Sequence, residues 1–264
     1  MATFNSPRRI AARWKLVVIL IFLSSRTFAS DAPDKAFAPR AIAEFQRAQA
    51  TYQTNANDAT AAWQFARATY DLADFATNET QRADLANQGI AACRHAITQK
   101  LKLAAPHYYL AMNLGQLART ESVGALKLVK EMEYEFKLAN GLDEHFDYAG
   151  PARNLGLLYH QAPGWPVSIG DRRDARSWLE HALSLASDYP ENILNLAEAQ
   201  LEWKQRAEAA EQLKKLDTLW PDAQKKFTGD AWAQSWDDWT KRREKLRATL
   251  NINPPVVTSP KYSH

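Results

Sequence analysis

Leu114, Leu155 and Leu196 stand 41 residues apart twice over, and each lies in a matching context. The three segments are Ala111-Met112-Asn113-Leu114-Gly115-Gln116-Leu117-Ala118, Ala152-Arg153-Asn154-Leu155-Gly156-Leu157-Leu158-Tyr159 and Ile193-Leu194-Asn195-Leu196-Ala197-Glu198-Ala199-Gln200. Self-similarity at a fixed interval is the mark of a repeat architecture, and it restricts the fold more than any single motif does. Each segment is followed by a second pattern spaced four and then three residues: Met132, Phe136 and Ala139; Ala175, Leu179 and Ala182; Ala209, Leu213 and Leu216. That spacing puts three side chains on one face of a helix. An earlier copy joins Trp63, Ala66 and Tyr70 to Gly89, Cys93 and Ala96. Glycine is scarce, at 9 residues, and strand-like alternation is lacking, so the expected class is all-α.

One helix pair cannot bury its apolar face alone, so neighbouring pairs stack into a solenoid. A small residue at Gly115, Gly156 or Ala197 lets the paired helix approach, and the large residue fills the space beside it. The length beyond a compact hairpin is expected in two loops, Gly141 to Pro151 and Ala162 to Gly170, where prolines and glycines interrupt the helix. Asp171 is placed to cap the helix that follows. Ala38 to Tyr52 reads as an amphipathic helix through Ile42, Phe45 and Ala48. After Gly229, Trp232, Trp236, Trp239, Leu246 and Leu250 form a stripe that either caps the array or offers an aromatic platform. The prolyl stretch 251–264 is expected to be disordered.

The Leu155-Gly156 pair with Tyr159, and Ala175, Leu179 and Ala182, resemble the tetratricopeptide repeat (TPR) family. The resemblance spans roughly residues 58–220 and departs in its period, 41 residues against about 34. It implies a TPR-like helical-hairpin array over residues 38–220, a capping helix over 229–250, and a concave groove that binds a protein or an extended peptide. The long connections and the Leu-Gly, Gly-Asp and Tyr-Pro run also look like the periplasmic TPR-like accessory component of tripartite (TRAP-type) solute importers. Members of that group are typically lipid-anchored, and this chain has no cysteine near its N-terminus.

Residues 1–29 carry Arg8, Arg9, Arg13, Lys15 and Arg26 and no acid, and they contain the apolar run Leu16 to Leu23. With Thr27 and Ala29 at a small-x-small site, this is the order of a secretory signal, with cleavage after Ala29. The run is far short of the roughly 20 residues of a spanning helix, so no membrane span is expected in the mature chain. Without those five charges, 28 basic residues face 30 acidic ones, a net of −2. A near-neutral chain lacks the basic footprint of a nucleic-acid binder. Cys93 is the only cysteine, so neither an internal disulfide nor a thiolate metal site can form. No phosphate loop, dinucleotide turn or nucleophile elbow is present, and the histidines lack metal-ligand spacing. The expectation is a non-enzyme without cofactor or metal, exported and soluble after cleavage.

The functional expectation rests on Asn113, Asn154 and Asn195, each one residue before a repeat leucine. A step of about 100° turns that side chain away from the helix pair, and in TPR arrays that position faces the groove. An amide there donates and accepts, so a row of three either grips the main chain of an extended peptide or merely meets water. Gln116, Arg119, Arg153, His160, Glu198 and Glu202 lie within a turn of this row, changing from basic to acidic along the array. Trp165, in the Pro163-Gly164-Trp165-Pro166 loop, is a second anchor or a plug for the long repeat.

Overall fold

A computed structural model of the chain describes residues 34–100, 102–121 and 124–252. The expected export segment and most of the prolyl tail lie outside these residues. Within them ten α-helices follow one another: α1 (Ala38–Thr54), α2 (Ala59–Ala73), α3 (Glu79–Gln99), α4 (Ala104–Ala118), α5 (Ala125–Leu142), α6 (Phe146–Gln161), α7 (Arg172–Leu185), α8 (Pro190–Glu202), α9 (Arg206–Lys226) and α10 (Ala233–Leu250). Among the described residues there is no strand, and the fold is an all-α helical-hairpin array. None of these helices is long and apolar enough to cross a membrane. The chain divides into two compact units at Ala186/Ser187.

In the first unit the hairpins are α2–α3, α4–α5 and α6–α7, each pair in extensive contact. Capping sets their starts. Asp58 accepts from Thr60 N at 2.8 Å, Asn78 from Gln81 N at 2.8 Å, and Asp171 from Arg173 N and Asp174 N at 2.8 and 2.9 Å. Alanines make the first hairpin close: Ala59, Ala62, Ala66, Ala86, Cys93 and Ala96 are all essentially inaccessible. Burial pushes the Cys93 thiol well above its ordinary pKa, away from thiolate reactivity. The repeat leucines Leu114 and Leu155 are equally buried, as is Leu196 in the second unit.

Gly156 shows why the pattern needs a small residue. A Cβ there would stand 2.6 Å from Leu179 Cγ and 2.9 Å from Leu179 N, so α6 and α7 cross at backbone distance. Gly89 is tighter still, with Thr69 Oγ1 at 2.3 Å and Asn113 Oδ1 at 2.4 Å from the same position.

Across hairpins the first helices touch, α2 with α4 and α4 with α6, while the second helices make no comparable contact with one another. The first helices therefore line the closed, inner side of the stack, and the second helices splay on the outer side. Tyr134, 61% exposed on α5, marks that outer side.

The expected loop Gly141 to Pro151 differs. Helix α5 runs on through Gly141 and Leu142, leaving only Asp143 to His145 between helices. Helix α6 then opens with Asp147, Tyr148 and Ala149 in left-handed conformation, φ 51°, 55° and 62°. Three such residues cost about 1–2 kcal/mol each. Arg153, one turn on and buried, offsets this by donating to the Asp147 and Tyr148 carbonyls at 3.2 and 3.1 Å and to Asp147 Oδ2 at 3.0 Å. The second loop is as expected irregular, with Gly170 held against Ala162 so closely that a Cβ would meet the Ala162 carbonyl oxygen at 2.0 Å. Ile42 on α1, read as a core position, is 44% exposed, whereas Phe45 packs on Phe65.

In the second unit α8 and α9 form a hairpin and α10 covers both. Trp232 lies in a short 3-10 turn rather than on α10 itself. Trp239 is 1% exposed, with ring contacts to Tyr189, Phe227, Trp232 and Trp236. Trp239 and Leu246 are thus core of this unit, with Trp232, Trp236 and Leu250 half-buried.

Candidate binding face

The inner side of the first unit is built from three helical stripes. Trp63, Arg67 and Asp71 on α2 and Asp74 at its C-cap follow one another at spacings of four, four and three. Tyr109, Met112 and Gln116 on α4 and Arg119 at its C-cap do the same at three, four and three. Asn154, Leu157 and Gln161 continue the face on α6. Such spacings keep each set on one side of its helix.

Trp63 and Tyr109 stack across the first two of these helices, 5.8 Å between centroids and 3° between planes, and Phe146 meets both edge-on. Beside them Arg67 and Asp71 are 3.7 Å apart and remain 59% and 49% exposed. Burial pushes the Asp71 pKa up to about 6, helped by the charges of Asp74, Asp147 and Glu44 and opposed by Arg67. Half its surface still meets water, which moderates the push. Asp147 accepts from Tyr108 Oη at 2.8 Å as well as from Arg153.

Further along, Asp74 Oδ1 accepts from Gln116 Nε2 at 2.8 Å and Arg119 Nη1 at 3.3 Å, with Arg82 Nη1 at 3.9 Å. Arg82 also donates to Gln116 Oε1 at 2.6 Å. Asp74, Gln116 and Arg119 rim a cavity of about 250 Å³ walled by Met112, Met132, Val129, Phe136, Leu157 and Leu158.

The asparagine row is not open in the way its spacing implies. Asn113 is fully buried; its Nδ2 donates to the Ala66 and Tyr109 carbonyls at 2.9 and 2.8 Å, and its Oδ1 accepts from Thr69 Oγ1 at 3.1 Å. The turn that takes this residue away from the helix pair aims it at the first helix of the preceding hairpin, not at a groove. Asn154 is half-buried and donates to the Gly150 carbonyl and to Tyr108 Oη at 3.0 and 3.1 Å. Asn195, 4% exposed, accepts from Arg242 within the second unit. Arg153, Gln116 and Glu198 are likewise buried and engaged, Glu198 with Arg242 at 2.7 Å. Only Arg119, 56% exposed, and Trp165, 89% exposed, stand well out; His160 and Glu202 are half-buried at helix ends.

Burial gives Asn113 a stability role. Asn113→Ala removes the amide's bonds to the Ala66 and Tyr109 carbonyls, while Thr69 Oγ1 keeps its own bond to the Ala66 carbonyl at 2.7 Å, so the loss is about 0.5–1.5 kcal/mol per bond. Urea denaturation followed by circular dichroism should show that loss; an unchanged midpoint would mean the three bonds contribute nothing net.

Arg67, Asp71 and Tyr109 have no counterparts at the 41-residue interval, so the repeat does not point to them. The four-residue steps Trp63, Arg67, Asp71 were the available signal.

Residues 26–143, less than half of the chain, match the family model described as regulator of microtubule dynamics protein 1-3. A search of curated proteins returns no significant match. The crystal structure of a thermophilic TPR protein of Thermus thermophilus is similar with a TM-score of 0.57 and 16% identity, covering 91% of this chain and 99% of that one. The crystal structure of MamA, at 14% identity, 71% and 93% coverage and a TM-score of 0.49, is too distant to argue from. The ten helices, the first-helix inner face and the full-length likeness to a TPR protein make this chain a TPR-like helical repeat protein by fold.

Proposed function

We propose that the chain is an exported scaffold that binds a protein partner along the first-helix face of its first unit. The supporting observation is the row Trp63, Arg67 and Asp71 beside Tyr109, which combines stacked aromatics with half-exposed charges. Aromatic and arginine side chains are the residues that most often carry binding energy at protein interfaces. Arg119, Asn154 and His160 extend the same face, and Trp165 is a separate anchor on its loop. Export is supported by the basic segment, apolar run and small-x-small site of residues 1–29. The importer-accessory reading rests on the Leu-Gly, Gly-Asp and Tyr-Pro run and ranks second.

A photo-crosslinking amino acid placed at Arg67 of the full chain, expressed in its native host, tests the face. Crosslinks to another polypeptide are expected at Arg67 and not at Tyr134, and the recovered scaffold should begin at Ser30 by intact mass. Equal crosslinking at both positions, or none at Arg67, defeats the binding face; a recovered mass beginning at Met1 defeats export with cleavage.

A further inference from the structure

Helices α4 and α6 are tied together near the start of α6. Tyr108 Oη donates to Asp147 and accepts from Asn154, and the Tyr108 ring meets Phe146 at 5.3 Å between centroids. Further along, the space between the two helices is the 250 Å³ cavity, with Met112 supplied by α4, Leu157 and Leu158 by α6, and Val129, Met132 and Phe136 by α5. Gly115 makes room for it. A Cβ there would stand 3.1 Å from Met132 Cε, so the methionine tip lies against bare α4 backbone. An unbranched thioether repacks around different shapes at small cost. Cavities of about 150 Å³ with apolar linings accept a benzene ring, so this one has room for a leucine or phenylalanine side chain.

The mouth selects an uncharged guest. The Asp74 carboxylate is matched by Arg119 at 3.3 Å and by the Gln116 amide at 2.8 Å, so the rim calls for no counter-ion. A charged side chain entering the apolar wall would lose its hydration and find no partner inside. Asn154 spends both amide hydrogens, on the Gly150 carbonyl and on Tyr108 Oη, and among the described residues its own carbonyl oxygen accepts from no donor. That oxygen suits a main-chain N–H, which a side chain carried on a polypeptide brings with it.

The cavity is also continuous with the first-helix face. Asp74, Gln116 and Arg119 end the α2 and α4 stripes, Asn154 and Leu157 belong to the α6 stripe, and all five line it. A polypeptide lying along the Trp63–Arg67–Asp71 row and on past Asp74 crosses its mouth. We propose that the cavity is the anchor pocket of that face and takes one leucine- or phenylalanine-type side chain from the protein partner. This rests on the protein-binding face proposed above and adds what the partner must present. One large apolar side chain in a water-excluding pocket is how a few residues come to carry most of an interface's energy.

Met112 and Met132 are the two methionines that follow the initiating one, and both line the cavity, so they make the test site-specific. The full mature chain, labelled with carbon-13 at the methionine methyl groups, is titrated with end-blocked tripeptides carrying leucine, phenylalanine, alanine or lysine between two alanines, and with hexanoate. The leucine and phenylalanine peptides should shift both methyl signals saturably. The alanine and lysine peptides should bind at least about tenfold more weakly, the loss expected when several apolar carbons go unburied. Leu157 is half-buried, so it can be replaced with little disturbance of helix packing. Leu157→Trp, which fills the cavity, and Leu157→Lys, which charges its wall, should each weaken the leucine peptide at least about tenfold, with Leu157→Met as the conservative control that keeps binding. Both variants should also lower photo-crosslinking at Arg67 to the native partner. No saturable shift with the leucine or phenylalanine peptide, or equal binding of the alanine or lysine peptide, overturns the proposal. So does a shift produced by hexanoate and by neither apolar peptide, which would assign the cavity to a free anion. Crosslinking at Arg67 that is undiminished in both Leu157 variants defeats the anchor and leaves the face standing, whereas no crosslinking at Arg67 in the parent defeats the face and the anchor with it.

Discussion

Gly156→Leu should unfold the α6–α7 hairpin at room temperature or leave it on the edge of unfolding. The first added carbon alone would stand 2.9 Å from Leu179 N, and a backbone atom in mid-helix cannot step aside as a side-chain tip does. Overpacking in a core typically costs about 1–3 kcal/mol, and an entire isobutyl group at a backbone crossing should exceed that range. Gly156→Ala tests the same contact with one carbon and should cost about 1–3 kcal/mol. Gly141→Ala is the matched control: it lies within α5, nothing stands within 4 Å of its added carbon, and helix propensity favours it by about 0.5–1 kcal/mol. Thermal and urea unfolding of the three variants checks the order. Equal midpoints for Gly156→Leu and the parent would show that the helices do not meet at this residue.

The second large effect is expected at Arg242→Met. Arg242, 8% exposed on α10, donates to both Glu198 oxygens at 2.9 and 2.7 Å and to Asp238 at 3.1 Å, and it is the partner of Asn195. Removing it strands a buried carboxylate, a loss of about 3–5 kcal/mol at neutral pH. The pH dependence has a definite sign. Burial already holds the Glu198 pKa above its ordinary value although Arg242 pulls it down; without the arginine it rises further. The folded variant then binds a proton more tightly than its unfolded chain does. Its stability is greatest below the unfolded carboxyl pKa and falls as pH rises through the raised folded value. The deficit against the parent should accordingly narrow from about pH 7 towards about pH 4.5, near the ordinary carboxyl value. Adding Glu198→Leu to Arg242→Met should recover most of the loss, since an apolar pair can replace a buried ion pair. A small deficit that does not change with pH would show that water reaches Glu198 in the folded protein.

These two predictions concern residues that entered as different things. Gly156 was legible as a packing residue, because a glycine between Leu155 and Tyr159 has no other use in a helix of this pattern. Glu198 and Asn195 were legible only as polar positions on a first helix, and the spacing assigned them to a groove. The residue that covers them, Arg242, is 44 and 47 positions away and follows a tryptophan-rich stretch with no obvious relation to the repeat. The same holds for Arg153, whose guanidinium pins a left-handed turn that nothing in Asp147-Tyr148-Ala149 announces.

Periodic apolar spacing by itself determined the all-α class, the hairpin pairing and the close contacts at Gly156, since these depend on which residues share one face of one helix. Which polar residues meet solvent, which bond to a neighbouring hairpin and where Met112 and Met132 converge were decided only by tertiary structure. A buried amide or guanidinium must find a partner wherever the fold puts one, and the 41-residue interval records the repetition of backbone positions without recording what stands across from them.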